Sequence, residues 1–257
     1  MAIHSTAIVD AAAQLGQVSI GPYAVIGPDV VLHDDVEVGP HAVIHGHTVV
    51  GTRTIIHSHA VLGGDPQDLK YDDAPTQLVI GCDNIFREFT TAHRGSAGNT
   101  VIGDRNFFMA NSHVAHDCTV GSDCMFANSV AVAGHVEVGN RAVMGGLAAV
   151  HQFSRIGRLA MVGGGAMCAQ DVPPFCIAQG DRARLYGLNI IGLRRAGIEK
   201  STIVVLKDSW LTLFTRGMPR KVAMAKALEE HGEVAEVREL VEFLGTTRRG
   251  VCRAGST

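Results

Sequence analysis

Aromatic residues make up only 5% of the 257-residue chain, with a single Trp. So few rings suit a narrow interior lined by aliphatic side chains. The six cysteines, Cys82, Cys118, Cys124, Cys168, Cys176 and Cys252, form no Cys-x-x-Cys pair. Scattered disulfides and metal knuckles are therefore not expected, and free thiols in a reducing compartment are. No uninterrupted apolar stretch approaches the length of a membrane span. Met1–Val25 lacks the basic start and apolar run of a secretory leader. The expectation is a cytoplasmic protein with no integral membrane segment. A surplus of positive charge is missing too: the formal net charge is −3, which argues against a general nucleic-acid binder.

What the chain does have is a six-residue period. Starting at Ile20, every sixth residue is aliphatic through Ile26, Leu32, Val38, Ile44, Val50, Ile56 and Leu62. The series resumes at Ile80, Phe86 and Ala92. It then runs from Ile102 through Phe108, Val114, Val120, Phe126, Val132, Val138, Met144, Val150, Ile156, Val162 and Cys168 to Pro174. Neither a helix nor a lone two-sided strand has this period. Hexapeptide repeats wound into a parallel β-helix do, and such units must stack because none can bury its apolar face alone. Before Ile20 the register slips by one residue, so Met1–Ser19 reads as a capping coil. The period fades after Pro173-Pro174. From Gly187 the pattern turns helical, with amphipathic segments at Ile198–Thr215, Lys221–His231 and Val234–Leu244. The expected organisation is a β-helix over residues 1–180 and a small helical domain over 187–257.

Two interruptions, at about 63–77 and 94–100, break the repeat. Leu62 and Ile80 lie eighteen residues apart, which reads as one full coil and keeps the phase. On that reading the first loop replaces a slot near position 74. The step from Ala92 to Ile102 holds four residues too many for a hexad, so the second loop bulges outward. Stacking the coils puts Ala92, Val114, Val132 and Val150 in one column. His93, His113, His116, His135 and His151 then gather on one face and its corner, beside both loops. Loops on a rigid scaffold are where function concentrates. Many other histidines, His33, His41, His45, His47, His57 and His59 among them, read as ordinary wall residues.

Two chemistries fit the cluster. Neutral imidazoles could hold a catalytic zinc with three protein ligands and water, as in a β-helix carbonic anhydrase, although the spacing is no recognised metal motif. Alternatively His116 acts as a general base, with the Asp117 carboxylate orienting its ring. Gly134 stands eighteen residues further on, one coil away, where its bare backbone N–H could reach an oxyanion.

Several segments, in order, make the resemblance specific: Gln67-Asp68-Leu69-Lys70-Tyr71, His93-Arg94-Gly95, His113 to Gly121, Ala133-Gly134-His135-Val136, Ala149 to Phe153, Ala169 to Pro174 and Gly187-Leu188-Asn189. In these the chain resembles the bacterial UDP-N-acetylglucosamine O-acyltransferase family, which opens lipid A synthesis. The resemblance implies a left-handed parallel β-helix, a homotrimer with clefts between subunits, and no metal or cofactor. It implies transfer of a 3-hydroxyacyl group from acyl carrier protein to the 3-hydroxyl of UDP-N-acetylglucosamine, or to a 3-amino group in some members. By the same resemblance His116 is the base, with Asp117 beside it and Gly134 as backbone donor. Gln67, Asp68, Leu69, Lys70, His93, His113, His135, His151 and Gln152 line the substrate site. Asn189 and Arg195 contact the nucleotide, and Gly164 lies beside the acyl groove as a ruler of chain length. The chain departs at Ile191, where the family often has Glu, and at Ala196, where it often has a second Arg. Arg155, Arg158, Arg182, Arg184, Arg194 and Arg195 are the cations expected to steer an acidic carrier protein.

Overall fold

The computed structural model describes residues 1–255. Three parallel sheets form the faces of a prism. One begins at Ala2–Ile3, the next at Ile8–Val9 and the third at Gln14–Leu15, and the chain visits them in turn. Most strands are only two residues long, an outward residue followed by an inward one. Residues eighteen apart pair across neighbouring coils, as Thr119 does with Glu137 and Val120 with Val138. Every inward slot of the six-residue series is buried. Inside, Phe86, Phe108 and Phe126 stack with centroids 4.7 Å apart. Each fully buried aliphatic or aromatic side chain stabilises the fold by about 1.5–3 kcal/mol.

The corners have their own chemistry. The third residue after an inward slot adopts a left-handed backbone at nearly every turn, from Tyr23 to Leu159. Asp, His and Asn hold half of the 22 non-glycine positions with positive φ, and these types tolerate that conformation best. Asp117, His135 and Phe153 occupy this slot in successive coils of one corner, with φ of 57°, 58° and 63°. One residue earlier stand His116, Gly134 and Gln152.

Three details of the winding differ from the sequence reading. Met1–Val18 winds like the rest of the prism, with Ala2–Ile3 paired to Ser19–Ile20, and its slipped register makes a shorter coil rather than a different one. The first loop replaces no slot. Leu62 pairs with both Ile44 and Ala92, while Ile80 pairs with Val50, so Leu62 to Ile80 is one corner step carrying extra residues. Gaps of six and eighteen both preserve the phase, so the period could not separate them. The two loops therefore leave the same corner on consecutive coils, after Gly64 and after His93. Finally, the last inward slot on its face is Val172, bridged to Ile156, and not Pro174. Pro173 and Pro174 have no N–H to donate, and the regular six-residue spacing ends there, although Cys176–Gln179 still pairs in parallel with Met161–Val162.

Beyond Cys176–Gln179 the strand Arg184–Leu188 folds back antiparallel. Four helices follow: α1 (Ile190–Arg195), α2 (Lys200–Phe214), α3 (Arg220–His231) and α4 (Ala235–Gly245). Leu193, Leu206, Ala227, Val237, Leu240 and Leu244 continue the core of the prism rather than forming a separate one. The chain then returns, bridging Val251 to Asp171 and Ala254 to Leu185. Arg155 reaches over Phe243 at 4.2 Å while pairing with buried Asp171, and Arg158 holds Glu239 at 2.7 Å. Arg155 and Arg158, two of the six arginines expected to steer a carrier protein, thus fasten α4 to the β-helix. All six cysteines are unpaired thiols. Burial pushes Cys118 up to about 12 and Cys124 up to about 11, which keeps them inert.

Candidate active site

The second loop closes over its own corner by wrapping a carboxylate. Asp117 Oδ1 accepts the backbone N–H groups of Ala97 (3.0 Å) and Gly98 (2.6 Å). Its Oδ2 accepts the N–H of Ser96 (2.9 Å) and the Ser96 hydroxyl (2.7 Å). Burial by itself would raise the Asp117 carboxyl. The N–H of Gly98, the His116 ring and the N–H groups of Ser96 and Ala97 outweigh it, and hold the carboxyl well below the usual carboxylate range. Asp117 is therefore an anion whose oxygens accept.

His116 Nδ1 lies 2.6 Å from that Oδ2, so Nδ1 carries the proton and Nε2 is left as the basic nitrogen. Only 12% of the His116 side chain and 6% of Asp117 are exposed. One coil further on, a Cβ on Gly134 would stand 2.6 Å from His116 Cε1 and 2.7 Å from Nε2. Glycine is thus what lets the ring lie against that turn. Among the described residues no backbone carbonyl accepts the Gly134 N–H. His135 meets His116 edge to face at 5.1 Å and stacks on Phe153 at 4.5 Å.

His93 and His113 lie edge to face at 4.9 Å beneath the loops. His93 is 9% exposed and its Nδ1 has no partner among the described residues. Burial lowers the His93 imidazole, and it lowers His113 to about 4. The His113 Nδ1 meets the Thr91 hydroxyl at 2.7 Å. His151 and Gln152 are exposed further along the same column.

The first loop presents Gln67, Asp68, Leu69 and Lys70 above this corner. Asp68 Oδ1 accepts the Lys70 N–H at 3.0 Å, which sets the turn, and Leu69 at its tip is fully exposed. Sequence reasoning missed what braces the loop. Arg94 donates twice to the Tyr71 hydroxyl (3.1 and 2.8 Å) and pairs with Asp65 at 2.8 Å, and Thr76 donates to the Gly95 carbonyl. The signal was present: an arginine directly after a buried histidine must find partners within reach, and the other loop is what lies there.

The remaining site residues lie elsewhere. Asn189 is 6% exposed and caps α1: its Oδ1 accepts the Gly192 N–H at 3.0 Å and its amide donates to the Leu159 carbonyl at 3.0 Å. Arg195 and exposed Ile191 border a groove with Met125, Arg141 and Met161, on a different face of the prism from His116. Gly164 sits exposed at a corner bordering that face. Within one chain the candidate site residues therefore fall into two groups that the fold does not bring together.

His116, Asp117 and His135 also satisfy the spacing of a metal-ligand triad, their ligand atoms lying within 4.8 Å of one another. Asp117, however, already accepts five hydrogen bonds from the loop and from His116, leaving little lone-pair capacity for an ion. Its donors suit an orienting carboxylate better.

A hexapeptide β-helix with an oriented imidazole beside a bare glycine turn, under two corner loops, has the makings of an acyltransferase. The comparisons narrow this. The hexapeptide-repeat family of bacterial transferases matches residues 16–46, 29–64 and 99–134, and the second domain of UDP N-acetylglucosamine O-acyltransferase matches 171–252. The acyl-[acyl-carrier-protein]–UDP-N-acetylglucosamine O-acyltransferase of Trichlorobacter lovleyi is 51% identical over 98% of this chain and 100% of its own. That of Thermodesulfovibrio yellowstonii is 44% identical over 98% and 99%. The crystal structure of the Moraxella catarrhalis enzyme superposes with a TM-score of 0.96 at 38% identity, covering 98% of this chain and all of the other. The chain belongs to the acyl-[acyl-carrier-protein]–UDP-N-acetylglucosamine O-acyltransferase family.

Proposed function

We propose that the protein transfers a 3-hydroxyacyl group from acyl carrier protein to the glucosamine 3-hydroxyl of UDP-N-acetylglucosamine, the first step of lipid A synthesis. The observation that carries the mechanism is the His116–Asp117 pair seated against Gly134. His116 Nε2 takes the proton as the sugar hydroxyl attacks the thioester carbonyl, and Asp117 steadies the imidazolium. The Gly134 N–H stabilises the oxyanion. When the tetrahedral intermediate collapses, the C–S bond breaks and the proton passes from His116 to the departing thiolate. His93, His113 and His135 border the acceptor sugar with the first loop above it, and the depressed His113 stays neutral as it does so. No metal or cofactor takes part.

The division of the site supports a homotrimer. Asn189, Arg195 and Gly164 lie away from the His116 corner, and a neighbouring subunit that presents its own copies there completes a cleft. Among the described residues no helix is long and apolar enough to cross a membrane, and we place the enzyme in the cytoplasm with its carrier protein.

The test is an acyl-transfer assay with UDP-N-acetylglucosamine, its 3-amino analogue and a panel of 3-hydroxyacyl carrier-protein thioesters. Turnover of the 3-hydroxyl sugar is expected. Exclusive turnover of the amino sugar would move the acceptor atom, and no turnover of either would overturn the reading.

A further inference from the structure

Of the donors gathered on Asp117, the Ser96 hydroxyl is the one that the backbone does not dictate. Any loop of this shape supplies the N–H groups of residues 96–98, and the His116 N–H belongs to the base itself. The Ser96 Oγ is different: it stands 2.7 Å from Asp117 Oδ2 and 3.3 Å from His116 Nδ1, and so bridges the carboxylate and the ring.

We infer that Ser96 is a positioning residue for catalysis, setting both the orientation and the basicity of His116 through the shared Asp117 Oδ2. The inference rests on His116 being the base. Oδ2 divides its charge among the Ser96 O–H, the Ser96 N–H and the His116 N–H. Each added donor weakens the pull of the carboxylate on an imidazolium. Removing the hydroxyl leaves Oδ2 free to hold the protonated ring more tightly. His116 should then keep its proton to a higher pH. The neutral ring, which has no such added hold, loses one of the contacts on Nδ1 and should rotate more freely. The other groups facing His116 are His135 edge-on from the next coil, whose Nε2 also stands 3.7 Å from Asp117 Oδ2, His113 on the strand just before it and His93 from the preceding coil. None of them contacts the Ser96 side chain among the described hydrogen bonds, so the substitution reads out on the His116–Asp117 pair.

The experiment uses the full-length enzyme with Ser96→Ala and Ser96→Thr. It measures kcat, the KM for UDP-N-acetylglucosamine, the pH profile of kcat/KM and the thermal midpoint. Ser96→Ala keeps the three backbone donors to Asp117, so the loop should stay anchored. It is expected to lower kcat about tenfold at an unchanged KM, the scale of losing one hydrogen bond to a charged group. The acid limb of the profile should move to higher pH, and Ser96→Thr should restore both. Unchanged kcat and an unmoved acid limb would overturn the inference. So would a raised KM with an unmoved limb, because the hydroxyl would then serve only loop shape. If the alanine variant fails to fold, Ser96→Cys, close in size but a weak donor, gives the same readouts with the same signs. His116→Ala is run alongside: if it retains turnover, the base assignment fails whatever Ser96 does.

Discussion

Two corners of the prism carry histidines in the same backbone slot and use them differently. At one corner Tyr23, His41, His59 and Phe89 follow one another up the coils, their rings stacked face to face with centroids 5.0 Å apart. All have φ near 60°, and His41 and His59 are open to solvent. At another corner Asp117, His135 and Phe153 hold the equivalent slot with the same backbone. There two loops leave the wall, and a carboxylate, a glycine and buried imidazoles meet beneath them. The repeat supplies both corners with the same geometry. What separates them is the pair of insertions, beneath which His93 and His116 are largely covered, and which bring backbone N–H groups down onto Asp117. In a repeat protein, then, a residue type at a repeat position says little about chemistry until an irregularity covers it.

The largest effect that would break this comparison is at His116. His116→Ala should lower turnover by about 10²–10⁴-fold, the usual contribution of a positioned base, while the thermal midpoint stays near that of wild type. Single-turnover acyl transfer measures it. A variant turning over at near the wild-type rate would make the covered corner no more catalytic than the ring ladder.

Gly134→Ala comes next. Its new Cβ would fall within 2.7 Å of His116 Nε2, so the ring or the turn must shift. Because reacting groups misplaced by about 1 Å can cost about 10²-fold, turnover should drop by at least tenfold with the coil ladder intact. Circular dichroism and kcat measured together separate this from a folding defect. An alanine that leaves kcat untouched would show that the close approach of ring and glycine is dispensable.

How much of that contrast could be read in the sequence depends on what a period can encode. The inward slots from Ile20 to Cys168 were legible because each is one apolar residue at a fixed interval, and the same arithmetic put Ala92, Val114, Val132 and Val150 in one column. The geometry of the first loop was not legible, since a gap of eighteen fits a whole coil as well as a swollen corner. The short α1 and the returning tail at Val251 were missed for another reason. Each is fixed by long-range contacts, the Asn189 cap with its bond to Leu159 and the bridge to Asp171, and neither leaves a local pattern. In the site, His116, Asp117 and Gly134 could be aligned by counting one coil. Ser96, Arg94 and Tyr71 could not, because they lie within the insertions, where the period carries no information.

A smaller effect is expected at the edge of the second group of candidate residues. A side chain at Gly164 would start with its Cβ 3.3 Å from the Gly146 carbonyl and then extend into open space. If the acyl chain runs past this corner, Gly164→Met shortens the groove. Each buried methylene is worth about 0.8 kcal/mol, so the preferred 3-hydroxyacyl chain should shorten, with severalfold discrimination per carbon. Identical chain-length profiles for wild type and variant would remove Gly164 from the groove.

The smallest effect is expected at the ring ladder, and it sharpens the comparison from the other side. His41 and His59 lie between Tyr23 and Phe89, and His57, close by, approaches Glu88 at 3.8 Å. Stacked pairs of this kind contribute roughly 0.5–1.5 kcal/mol beyond area burial, less where solvent reaches the rings. Replacing both histidines with Asn keeps a residue that accepts the left-handed backbone and deletes only the stacking. In a chain of this length a loss of about 1 kcal/mol moves the midpoint by about 2–4 °C. The double variant should therefore melt a few degrees lower while kcat and both KM values stay at wild-type levels. A clear loss of turnover would mean that the uncovered corner also feeds the reaction, and that exposure alone does not separate a structural histidine from a catalytic one in this wall.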